Sequence, residues 1–206
     1  MVMKKDSALL IIGILFLWTT QAIAVPFGFS DIENNSYDIS NNFSGDISES
    51  AGKVLFTISN NGPAISFIGQ IYFEFKPDGL LNSGSFSSIN SVGAVDFVNF
   101  KNSNLNLPQG QTITFQEDWG QMAKNPAPRN GVKIGETAAF LFNGIFADVV
   151  NAMNNGNLRI GIHAQGFEDD GSDCYISDNT PAPEPATMIL LGMGLLGLAG
   201  VARRKN

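Results

Sequence analysis

The sequence predicts an all-β protein: an antiparallel β-sandwich of jelly-roll-like form with one short helix, an N-terminal signal helix and a C-terminal transmembrane helix. Three observations predict this. In the interior, apolar residues recur at every second position in short runs, the period that turns one face of a strand toward a core. Clusters of Asn, Gly, Pro and Asp bound those runs and supply turn geometry. Both ends of the chain, in contrast, are continuous apolar stretches without alternation.

At the start, Lys4 and Lys5 precede an apolar run from Ala8 to Trp18. Ala22-Ile23-Ala24 then offers small residues where a signal peptidase requires them, so residues 1–24 are expected to be a signal peptide with Ala22 and Ala24 marking cleavage. The first clear strand alternates Val54, Phe56 and Ile58 and closes at Asn60-Asn61-Gly62-Pro63. In the next, from Ile65 to Phe75, Ile71, Phe73 and Phe75 share one face and Gln70, Tyr72 and Glu74 the other, until Pro77-Asp78-Gly79 turns the chain. Further strands are expected near 84–92, 94–100 and 111–118, with Ile113 and Phe115 inward on the last.

Asn125 to Gly131 reads as a loop, followed by a core strand over 136–143 carrying Ala138, Phe140 and Phe142. Ile145, Phe146, Val149, Val150 and Met153 then form a helical stripe, ended by Asn154-Asn155-Gly156. Alternation returns over 157–167, with Leu158, Ile160, Ile162 and Ala164 opposite Arg159, Gly161, His163 and Gln165. Asp170-Gly171 signals a hairpin into a last strand around 173–177. The sandwich domain is thus expected over 25–177, and residues 178–185, with three prolines and nothing to bury, form an extended linker.

Residues 186–206 are expected to be a transmembrane tail. Ala186 to Ala202 is 17 residues without charge, which at ~1.5 Å per residue spans roughly 25 Å, slightly short of a ~30 Å hydrocarbon core. Arg203, Arg204 and Lys205 follow and hold that end on the cytoplasmic side, so the body faces outward.

Pro183-Glu184-Pro185, the glycine-rich apolar segment from Met188 to Ala202, and Arg203-Arg204 occur in the order that resembles the PEP-CTERM sorting signal of exported bacterial proteins. The resemblance implies recognition by an exosortase, a membrane cysteine transpeptidase acting at or near Pro-Glu-Pro. Pro183, Glu184, Pro185, Arg203 and Arg204 would then be substrate residues, not catalysts. It also implies an inner-membrane-anchored intermediate, a final place at the cell surface or outside the cell, and association with biofilm and exopolysaccharide. Leu158 to Gln165 and Asn130 to Phe142 are similar to parts of the β-rich bodies that carry this tail, for which the resemblance implies no catalytic residues. The alternative reading of the tail is a permanent anchor.

Residues 25–185 hold 18 of the 19 acidic and 7 of the 12 basic residues, a net charge of −11 that repels phosphate backbones and argues against nucleic acid as a partner. Cys174 is the one cysteine, which excludes an intrachain disulfide, and a buried role is expected for it. Gly192-Met193-Gly194-Leu195-Leu196-Gly197 spells a dinucleotide fingerprint, but no strand precedes it and no βαβ unit follows. His163 is the one histidine and lies mid-strand without a nucleophile elbow, which disfavours a serine triad, and one His with one Cys disfavours zinc.

Glu168, Asp169, Asp170, Asp173 and Asp178 gather near one hairpin; the first four are the candidate ligands of a calcium ion, although a solvated turn is the default and no cofactor is expected. Trp119, Tyr72 and Tyr37 are candidates for a sugar-stacking surface. The expected function is a non-catalytic exported surface or matrix protein processed by signal peptidase and exosortase, anchored meanwhile through its tail. The alternative is a carbohydrate- or calcium-binding module.

Overall fold

The computed structural model describes residues 24–32, 38–63, 65–100, 105–167 and 171–178. Eleven strands run through them: β1 (Val25–Asp31), β2 (Phe43–Ser50), β3 (Lys53–Asn60), β4 (Phe67–Phe75), β5 (Asn82–Phe86), β6 (Phe97–Asn99), β7 (Trp119–Ala123), β8 (Val132–Lys133), β9 (Glu136–Asn143), β10 (Leu158–Gln165) and β11 (Ser172–Asp178). Two helices interrupt them, a single turn α1 (Ala127–Asn130) and α2 (Phe146–Asn154).

All strand pairings are antiparallel, and the strands follow one path, β5-β9-β3-β2-β1-β11-β10-β4-β7-β6, with β8 added beside β4. The path folds over at β1. Its first half, Val25 to Phe27, pairs with β2, and its second half, Gly28 to Asp31, pairs with β11. Pro26, which has no N–H to give a ladder, is exposed and lies in the half of β1 that pairs on one side only.

The two halves bury their inner faces against each other. Phe56 on β3 meets Phe73 on β4 edge-on at 5.1 Å, and Phe142 on β9 meets Phe73 at 5.0 Å and Trp119 on β7 at 4.7 Å. Where the two ends of the path approach, Phe86 of β5 and Phe97 of β6 lie 5.8 Å apart, and both rings touch Phe140. The sheet is therefore nearly closed. Each fully buried Phe contributes about 1.5–3 kcal/mol of apolar burial, which makes these contacts the main reason the halves stay together.

Six expected elements are present as β3, β4, β9, β10, β11 and α2. β1 and β2 lie beyond the expected set. The inward row of β2 runs Phe43, Gly45, Ile47, and the glycine hides the period because the Phe27 ring occupies the space a side chain would fill: a Cβ at Gly45 would come 2.1 Å from that ring. The strands expected at 84–92 and 94–100 shorten to β5 and β6.

The strand expected at 111–118 is not formed. Gly110–Thr112 is a 3-10 turn, and Gln109 and Thr114 both take left-handed backbone angles (φ 60° and 54°), which an extended strand cannot accommodate. β7 begins only at Trp119. The expected signal helix and transmembrane tail lie outside the described residues, apart from Ala24, and no helix among the described residues is long and apolar enough to cross a membrane.

Candidate functional site

The polar face expected for β4 and β10 is not solvated. Register places Gln70 opposite His163, Tyr72 opposite Gly161 and Glu74 opposite Arg159, and β11 adds Cys174 opposite His163. The segment 105–118, without a strand to join, lies across this face. Its Leu107 and Phe115 pack with Tyr72 and Cys174 into a second apolar cluster, separate from the core. Gly161 makes the close approach possible, since a Cβ there would stand 2.7 Å from Leu107 Cδ2.

Polar groups beneath this cover are paired. Glu74, 3 % exposed, forms an ion pair with Arg159 and accepts from the Gln116 N–H at 3.2 Å. Arg159 also donates to the Thr114 carbonyl at 2.7 Å, and its guanidinium lies 5.4 Å from the centre of the Phe115 ring. Glu117 accepts from the Leu107 N–H at 2.6 Å and so closes the loop on itself. Gln70 Oε1 accepts from the Tyr72 hydroxyl at 2.7 Å and lies 3.1 Å from His163 Nδ1, an arrangement that calls for the ring proton on Nδ1. Burial pushes the His163 pKa below its ordinary value and the Tyr72 hydroxyl above its own.

The one histidine and the one cysteine thus lie opposite each other on neighbouring strands, 8 % and 1 % exposed. Only the strand register brings them together. Glu74 and Arg159 were also missed as a pair, although their alternation on two neighbouring strands carried the signal.

Of the candidate calcium ligands, Glu168, Asp169 and Asp170 lie outside the described residues. Asp173 is 1 % exposed, and its Oδ1 accepts the Cys174 N–H at 2.7 Å, so this carboxylate is turned into the protein. Among the described residues no group of three His, Cys, Asp or Glu side chains gathers to hold a metal. The sugar-stacking surface is not assembled: Tyr72 is buried under the 105–118 loop, Trp119 packs into the core aromatic cluster, and Tyr37 lies outside the described residues. Ala24 is exposed immediately before β1; Ala22, Pro183, Glu184, Pro185, Arg203 and Arg204 lie outside the described residues.

A groove of about 760 Å³ opens at one end of the body, between the turn after β4 and the β9–α2–β10 connection. Asn82, Asn143, Asn151, Asn155 and Asn157 line it, with Asp78, Asp148 and Ile145. β11 terminates at this same end: Ile176 pairs with Gly161, which brings Asp178 level with Arg159, one residue into β10.

The last described strand of this acidic β-body ends at Asp178, just before a proline-rich stretch and an apolar segment in the sequence. Residues 181–205 match the PEP-CTERM protein-sorting motif. That motif indicates exosortase-dependent sorting of an exported protein through a membrane-associated step. No curated protein and no solved structure matches the chain.

Proposed function

We propose that the chain is a non-catalytic component of the cell surface or extracellular matrix, associated with exopolysaccharide and held only temporarily by its tail. The observation that carries this is the sorting motif at 181–205 attached to a compact β-body. The pairing of Glu74 with Arg159 and of His163 with Gln70 supports a structural role for these buried ionisable groups. In this reading the two halves of the sheet act as a sandwich, signal peptidase cuts after Ala24, and exosortase acts at Pro183-Glu184-Pro185 while Arg203 and Arg204 hold the end of the tail. No cofactor takes part.

Intact mass of the protein from cells with and without the sorting enzyme tests this. The expected product begins near Val25 and loses the apolar tail only when the enzyme is present. A chain of the same length in both cells refutes enzymatic sorting and favours a permanent anchor.

A further inference from the structure

We propose that the asparagine groove at the α2 end of the body binds a segment of an uncharged saccharide chain. The matrix reading gives this groove its biological setting. Its volume, about 760 Å³, lies within the ~300–1,000 Å³ of small-ligand sites. Some asparagines at turns elsewhere are used locally: Asn61 donates to Ser44, Asn130 to the Lys124 carbonyl, and Asn90 accepts from Ser87. In the groove only Asn82 is used in this way, donating to the Gly79 carbonyl. The side chains of Asn143, Asn151, Asn155 and Asn157 make no hydrogen bond among the described residues.

Four free carboxamides are chemically specific. Each presents one acceptor oxygen and two N–H donors on a flat group, which matches neighbouring sugar hydroxyls that both donate and accept. Ile145, 67 % exposed at the edge of the groove, offers an aliphatic surface for the C–H face of a pyranose ring. Charge selects among saccharides. Asp78 and Asp148 face the groove, while its one cation, Lys76, is already 3.7 Å from Glu74. A uronate or sulfated chain would meet two carboxylates on a body of net charge −11 and be repelled, so an uncharged chain is favoured.

The test uses the full chain in a sugar-free detergent, titrated calorimetrically with a neutral glucose hexasaccharide and with a uronic-acid hexasaccharide. The neutral sugar is expected to bind and the uronate not. Asn151→Ala with Asn155→Ala, two exposed positions, is expected to weaken the neutral sugar by about tenfold or more through the lost hydrogen bonds, with the melting temperature unchanged. Chelation of divalent metal with EDTA is expected to leave binding intact.

The proposal is overturned by no heat of binding up to about 10 mM, tenfold above a dissociation constant of about 1 mM. It is equally overturned by tighter binding of the uronate, by a double variant that folds and binds as before, or by loss of binding in EDTA. If the double variant melts lower, Asn143→Ala at the end of β9 replaces it with the same expectation. Intact-mass analysis of tail removal is a separate readout, so failure of the groove and failure of the sorting reading are told apart.

Discussion

Replacing Arg159 with Met isolates the pair that holds the 105–118 loop on the sheet. The alkyl part of the side chain is kept and the charge is lost, which leaves Glu74 at 3 % exposure without its main counter-ion. Removing one partner of a buried ion pair costs about 3–5 kcal/mol, because the remaining charge stays desolvated. Lys76 offsets part of this: its ammonium is 3.7 Å from Glu74 but 64 % exposed, and such a contact is worth at most about 1 kcal/mol. The expected loss is therefore about 2–4 kcal/mol, and at ~2–4 °C per kcal/mol for a domain of this size the melting temperature falls by about 5–15 °C.

The assay is thermal unfolding of the full chain in detergent, followed by near-UV circular dichroism, with amide exchange as a local readout. The Gln116 N–H, bonded to Glu74, should exchange faster in the variant. A charge-free double variant, Glu74→Leu with Arg159→Met, should recover part of the loss, since no buried charge is left without a partner. A cost below about 1 kcal/mol for Arg159→Met, or a double variant less stable than the two singles combined, refutes the claim that this pair is desolvated and mutually dependent.

The remaining predictions concern the same face and the core. His163 has a folded pKa below its ordinary value because of burial, so between that pKa and about 6.5 the unfolded chain binds more protons than the native one. Stability should then rise with pH through this window and be lost on acidification; His163→Gln should flatten the dependence of melting temperature between about pH 7 and pH 5, and an unchanged slope contradicts this. Gly161→Val pushes a side chain into Leu107 and Phe115, and overpacking of this kind should cost about 1–3 kcal/mol and raise proteolysis in the 105–118 loop with the core intact. Phe140→Ala removes the ring that joins Phe73, Phe86, Phe97 and Trp119 and should cost about 3–5 kcal/mol in denaturant unfolding, with a smaller loss indicating that the two ends of the sheet path close without it.

How far the sequence could be read depended on whether side-chain size or polarity alternates along each strand. β3, β9 and β10 were legible because Phe56, Phe140 and Ile160 alternate against residues that are smaller or more polar. β2 was not, because one inward position is a glycine filled from outside by Phe27. The 111–118 segment misled for a related reason: Ile113 and Phe115 have the spacing of a strand, yet they cover the outer face of β4 and β10 from a loop whose φ angles at Gln109 and Thr114 forbid extension. Alternation reports that every second residue is buried but not by what. The tail motif was legible as ordered letters without any fold, whereas the groove was not, since Asn82, Asn143 and Asn157 meet only through topology.

The direction of β11 ties the groove to sorting. From Asp178 to Pro183 the chain advances five residues, which cannot span more than about 17 Å even when fully extended. During the membrane-associated step, the end of the body that carries Asp178 is therefore held within that distance of the sorting motif, and the groove opens at this same end. A polymer approaching there meets the tethering surface, while a released body presents the groove to open solvent. Binding of the neutral hexasaccharide should accordingly be no weaker for the processed protein than for the full chain reconstituted in lipid vesicles, and long polysaccharide should favour the processed form more strongly than the hexasaccharide does. Equal preference for both ligands would show that the groove does not face the tether, and would place the exit of β11 and the opening of the groove on different sides of the body.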